Sequence, residues 1–291
     1  MLNQYLLYLK AERRVSTHTL TAYKKDIEQF LSFTEVESVS DLREVNHQII
    51  RSWIVDLVEK GDTNRTVNRK LSSLRTFFKW ARSMGMVESN PMLKVKGPKQ
   101  EKRLPEFVKQ EEIAVEKLNE VFPTTFSGLR DRLLIEVLYQ SGIRLSELIN
   151  LKPSSIQSQS IKVLGKGNKE RIIPLTDTLS EQLRSYLDSP TYKELNPEFL
   201  FVLDNGKKMY PNFVYRKVKF YLSLLTSLKK KSPHILRHTF ATHMLNNGAG
   251  LEVLKDILGH ASLSATQIYT HNSFDQIAKI YEKSHPRGEK E

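Results

Sequence analysis

Six side chains with chemistry of their own stand in five short motifs of the chain's second part, beyond residue 98. Arg144 follows a glycine turn in SGIRLSEL. Lys166 sits between two glycines in GKGNKER, a basic turn that lacks the Ser/Thr and following helix of a Walker loop. In PHILRHTFATH, His234 and Arg237 are one helical turn apart and share a face. His260 closes LGH, and Tyr269 stands nine residues later in TQIYTH. A pentacoordinate phosphorus carries negative charge on two non-bridging oxygens, and paired guanidiniums can clamp both with permanently charged, bidentate donors. A tyrosine can form a covalent phosphodiester, but a pKa of about 10 leaves it protonated at neutral pH, so a base or a positive field must help it. Taken singly, each residue has a plainer use: a surface arginine, a basic hairpin tip, a histidine on a helix dipole, a core tyrosine.

Taken in order, Arg144, Lys166, His234, Arg237, His260 and Tyr269 form a pattern that resembles the tyrosine recombinase (phage integrase) family. The N-terminal helices also look like the family's core-binding domain, and LRHTFATH, the chain length and the expected absence of an extra N-terminal arm domain bring it closest to the bacterial Xer-type site-specific recombinases. The resemblance implies a fold that is mainly α with a small β hairpin in the C-terminal domain. It also implies a two-domain DNA clamp, a helical core-binding domain followed by a catalytic domain. Under it, Tyr269 is the nucleophile and forms a 3′-phosphotyrosyl intermediate that allows rejoining. Arg144 and Arg237 clamp the phosphate, His234 is the base candidate, and His260 bonds a phosphate oxygen. Lys166 is the general acid for the 5′-oxygen, with Lys169 as the alternative on the same turn. The cations are built in, so no metal, ATP or other cofactor is expected. The sequence motifs include no Asp/Glu cluster of the two-metal nuclease kind. Two other readings compete: a type IB topoisomerase, which shares the active-site logic, and a non-catalytic DNA-binding factor, which has no use for the tyrosine.

The elements that must position these residues can be read from periodicity. Ser16 or Thr17 starts a helix with Leu20, Tyr23, Ile27, Phe30 and Leu31 on one face. Ile49, Ile50, Trp53, Ile54, Leu57 and Val58 repeat the pattern until Gly61-Asp62. A third helix, from about Thr63 to Ser83, has Val67, Leu71, Leu74, Phe78 and Ala81 as its apolar stripe. Its other side carries Arg65, Arg69, Arg75, Lys79 and Arg82, expected to contact DNA phosphates. The stretch KVKGPKQEKRLPEF has linker composition. The expected organisation is therefore residues 1–97 as core-binding domain, 98–105 as linker and 106–291 as catalytic domain. In the catalytic domain, Ser127–Gln140 reads as a helix, and Ile161–Leu164 with Arg171–Leu175 as a hairpin. The segment HILRHTFATHMLNN reads as a helix to Gly248, and LEVLKDIL as one to Gly259. Ser264 with Gln267 suggests a capped short helix around Tyr269. Phe274, Ile277, Ile280 and Tyr281 mark a final amphipathic helix.

Charge supports a polyanionic partner. Lys and Arg number 45 against 33 Asp and Glu in 291 residues, a net charge of +12. The excess is shared, with 16 basic against 11 acidic residues up to position 97 and 29 against 22 beyond it. Lysine and arginine displace counterions condensed on nucleic acid, so double-stranded DNA is the expected partner. Cysteine is absent, which excludes disulfide scaffolds, thiolate metal sites and cysteine nucleophiles. No apolar run approaches the roughly 20 residues of a membrane helix, and MLNQYLLYLKAERR lacks the layout of a signal peptide, so a cytoplasmic location without membrane partner is expected. The resemblance further implies a homo-tetramer, or a hetero-tetramer with a sister recombinase, on two DNA sites. Chromosome dimer resolution or mobile-element integration and excision is the expected role. Donation of the segment Ser273–Ser284 to a neighbouring protomer is expected to couple the active sites, the alternative being a cap on its own core.

Overall fold

The computed structural model describes residues 1–99, 106–165, 169–259 and 271–288. The chain divides into two compact units, Met1–Leu104 and Pro105–Glu291, each with its own core. Among the described residues no helix is long and apolar enough to cross a membrane.

The first unit is helical: α1 (Leu2–Ala11), α2 (Thr17–Thr34), α3 (Val39–Glu44), α4 (His47–Glu59) and α5 (Asn64–Ser83). Local chemistry sets the helix starts. Ser16, Asn46 and Thr63 lie in extended backbone, and their side-chain oxygens accept the first free amides of α2, α4 and α5. Ser38 and Asp41 close a capping box on α3. The expected stripe of α5 is fully buried, joined by Phe77. Both tryptophans of the protein lie here. Trp53 meets Phe30 edge-on at 5.0 Å, and Trp80 lies 5.2 Å from Tyr5. Val58, expected on the inner face of α4, is instead exposed. Beyond a short 3₁₀ turn at Pro91–Lys94, the chain runs back along α5. Arg75, Asn68 and Asn64 donate in turn to the carbonyls of Val95, Pro98 and Lys99, and Arg51 of α4 donates to that of Lys94. Gly97 lies so close to α5 that a Cβ there would come within 2.0 Å of Asn68 Oδ1.

The second unit is mixed. Its helices are α6 (Val115–Val121), α7 (Phe126–Ser141), α8 (Leu145–Leu148), α9 (Asp177–Asp188), α10 (Pro190–Leu195), α11 (Pro211–Leu225), α12 (Pro233–Asn246), α13 (Leu251–Leu258) and α14 (His271–Ser284). The strands β1 (Ser160–Leu164) and β2 (Glu170–Pro174) pair antiparallel, with Ile161 opposite Ile173 and Val163 opposite Arg171. Helix α7 is the axis of the unit, and its second half is buried on every side. It can carry charge there because each charge has a partner. Arg130, 1% exposed, holds Asp131, Asp204 and the Val202 carbonyl, and Glu136 accepts from Gln140 and Arg287. Helix α12 packs on α7, with Tyr139 Oη 2.9 Å from His243 Nδ1.

Helix α14 packs against the second unit. Ile277 and Tyr281 are buried in the unit's own core, and the Tyr281 hydroxyl donates to the Gln140 carbonyl of α7. His285 stacks on Tyr281, and Asn247 ties α12 to the Ser284 carbonyl. The helix thus lies over the core of the second unit.

Candidate active site and nucleic-acid interface

Among the described candidates, Arg144 stands at the start of a helix, and His234 and Arg237 lie in the first half of another. Gly142 ends α7 with φ at 60°, where an added Cβ would lie 2.5 Å from the Phe240 ring, so only glycine closes the helix and turns the chain toward Arg144. Arg144 is the N-cap of α8, and its backbone amide donates to Glu147 Oε2 at 2.8 Å. Gly259, with φ at 62°, ends α13. Arg237, on α12, donates from Nη1 to the Gly142 carbonyl and from Nη2 to the Leu258 carbonyl at 2.8 Å. Arg144 Nη2 reaches the Gly259 carbonyl at 3.1 Å. Two arginines 93 positions apart in sequence thus converge on one turn, the C-terminal end of α13. That end suits them, since the carbonyls of a helix C-terminus carry partial negative charge.

Burial, and then the nearby Arg144, pull the Arg237 guanidinium down to about 10, still charged at neutral pH. His234 lies in the first turn of α12 and is exposed. Lys169 flanks the hairpin turn and is also exposed, its carbonyl accepting from Gly165 N at 2.8 Å. Lys166, His260 and Tyr269 lie outside the described residues, as does the short helix expected from Ser264.

Two residues of this site escaped the sequence reading. Glu147, 5% exposed at its side chain, accepts from Arg144 Nη1 at 2.9 Å and from Arg171 Nη1 and Nη2 at 3.1 and 2.8 Å. Arg171 Nε donates to the Ile257 carbonyl of α13 at 2.7 Å. Burial works against the Glu147 charge, yet the Arg171 and Arg144 bonds hold its carboxyl below the usual range. A usable signal existed: Arg171 occupies an inward register on β2, in phase with Ile173 and opposite Val163. A charge at such a position needs a partner.

On the first unit, Arg65, Arg69, Arg75, Lys79 and Arg82 are all exposed on α5. Two of them have internal partners. Arg69 forms a two-pronged pair with the buried Asp26, which Ser73 Oγ also contacts at 2.7 Å, and Arg75 bonds the Val95 carbonyl. Both remain at the surface, but their guanidiniums are oriented from within.

Residues 107–276 match the model of the phage integrase family, and residues 2–85 that of the phage integrase N-terminal SAM-like domain. The chain belongs to the phage integrase family. Among its relatives, the tyrosine recombinase XerC of Staphylococcus carnosus is 39% identical, over 99% of this chain and 97% of that protein. The tyrosine recombinase XerD of Staphylococcus epidermidis is 33% identical, over 99% of both. Among solved structures, the XerH site-specific recombinase bound to a palindromic difH substrate superposes with a TM-score of 0.72 at 22% identity, covering 96% of this chain and 83% of that one. A lambda integrase (75–356) dimer bound to a core site gives 0.69 at 19% identity, covering 92% and 98%. These place the integrase fold over both units: mainly helical, two-domain, with one small antiparallel sheet in the second.

Proposed function

We propose that the protein is a site-specific DNA recombinase that cuts and rejoins duplex DNA through Tyr269. The observation that carries the reading is the convergence of Arg144 and Arg237 on the end of α13, in a chain whose relatives are tyrosine recombinases. The Gly142, Leu258 and Gly259 carbonyls that the two guanidiniums bond are neutral dipoles, and the Glu147 carboxylate that also holds Arg144 is shared with Arg171. The tyrosine Oη attacks phosphorus, the 5′-oxygen leaves, and a 3′-phosphotyrosyl bond forms. The leaving oxygen takes a proton from Lys166, His234 serves as base toward the tyrosine, and His260 bonds a phosphate oxygen. The 5′-hydroxyl of a partner strand then attacks the phosphotyrosine, releases the enzyme and restores a phosphodiester without ATP or metal. In this reading Arg65, Arg69, Arg75 and Lys79 hold the DNA backbone on the first unit. Four protomers, of this chain alone or with a sister recombinase, act on two duplexes, and chromosome dimer resolution is the favoured role.

The test uses a duplex selected by the wild-type protein from a randomised pool and then nicked beside the cut, so that the short product strand diffuses away. A detergent-stable protein–DNA adduct should accumulate with EDTA present and no ATP. Tyr269→Phe should bind the same duplex and form none. Full activity of Tyr269→Phe overturns the assignment.

A further inference from the structure

We propose that Arg171 is a positioning residue that acts as the counter-cation of Glu147, leaving the charge of Arg144 available to the scissile phosphate. The inference deepens the recombinase reading and rests on it. Glu147 is buried, and each of its oxygens accepts two bonds. Oε1 takes Arg144 Nη1 and Arg171 Nη1, and Oε2 takes the Arg144 backbone amide and Arg171 Nη2. The carboxylate fixes Arg144 in place, and a buried carboxylate between two guanidiniums leaves the trio with a net charge of +1 rather than zero.

Without Arg171, the same carboxylate would have Arg144 as its remaining cation in the trio. Arg144 would then be drawn into a neutral pair, held in position and stripped of net charge at once. Arg171 has little freedom to do otherwise. Its Nε is committed to the Ile257 carbonyl, and its guanidinium lies against the backbone at Gly165 and Gly259, where an added Cβ would stand 3.2 Å from Nη1 in either case. Its side chain is 6% exposed, against 36% for Arg144, so one arginine of the pair faces inward to the carboxylate and the other remains open to an incoming anion. Nearby, Arg237 lies in the field of all three groups.

The experiment measures single-turnover adduct formation on the nicked, selected duplex described above, with binding to the intact duplex and a thermal melt as controls. Absence of any wild-type adduct would defeat the recombinase reading itself, separately from this proposal. Given a wild-type adduct, Arg171→Gln should form it at least tenfold more slowly while binding DNA within threefold. Arg171→Lys, which keeps the counter-charge, should recover to within threefold of wild type. The decisive comparison is made with Glu147 already neutral: Arg171→Gln introduced into Glu147→Gln should cost less than threefold, because no carboxylate is left to compete for Arg144. That arm holds even where Arg171→Gln alone melts early, since the double variant contains no unpaired buried charge. A full tenfold loss in the Glu147→Gln background, or an Arg171→Lys as slow as Arg171→Gln, overturns the proposal and makes Arg171 a structural latch.

Discussion

Arg237 shows how much of the site depends on the shape of a side chain rather than its charge. Its two terminal nitrogens bond carbonyls from different helices, Gly142 and Leu258, a span that a lysine's single ammonium cannot reproduce. Arg237→Lys should therefore lose most of the cleavage rate despite keeping the charge. Arg144→Ala and Arg237→Ala should each lower adduct formation by on the order of 3 kcal/mol of transition-state stabilisation, with much smaller effects on DNA affinity. Single-turnover rates set beside gel-shift affinities separate the two effects, and an equal loss in both would place the arginines in binding alone. Lys166→Ala should be restored by a substrate whose 5′-leaving group needs no proton, and failure of that rescue would transfer the acid to Lys169 or His260.

At the scale of elements, α5 carries two jobs on two faces. Its inner stripe and its cap at Thr63 were legible in the sequence because a surface helix repeats its apolar residues at a helical period. The pairing of Arg69 with Asp26 was not, since the partner lies 43 residues away on another helix. It alters the choice of mutation. Removing Arg69 strands a buried carboxylate, so a fall in affinity would be confounded with a fall in stability of roughly 1–3 kcal/mol. Arg65→Ala with Lys79→Ala touches no such pair, and should reduce the slope of log affinity against log salt by about 2, one unit for each phosphate no longer neutralised. An unchanged slope would make this a solvated face. Helix α7 was legible in extent but not in burial. Its buried Arg130, Asp131, Glu136 and Gln140 blur the apolar stripe, and several of their partners come from distant segments that no local window contains. For the same reason Glu147 and Arg171 stayed unread in motifs whose neighbouring residues were picked out.

For the molecule as a whole, α14 and the turn after it are tied into the core by a group that titrates. Burial, and then the nearby Arg287, pull His285 from the usual 6.5 down to about 3, so it is neutral where it stacks on Tyr281. The folded pKa lies below the free one. The contribution of His285 to docking is thus fully present above pH 6.5 and is lost as the pH falls from there toward 3. Between pH 6.5 and pH 5 the loss is roughly 2 kcal/mol. Amide exchange in α14 should accelerate at pH 5 relative to pH 8 after correction for intrinsic rates, and His285→Phe should abolish that acceleration; no change in either would detach docking from this histidine. Truncation from Ser273 would also strip Tyr281 from the core, so point changes are the cleaner probe of assembly.

The placement of both tryptophans, Trp53 and Trp80, in the first unit has an optical consequence. Excitation at the red edge of the absorption band interrogates that unit alone, while the catalytic unit stays dark apart from its tyrosines. Denaturation followed by tryptophan emission and by far-ultraviolet dichroism should therefore yield different midpoints whenever the two units melt separately, since the second signal averages over both. Trp80 belongs to the same helix as the basic face, so its emission also offers a label-free report of DNA arriving at α5.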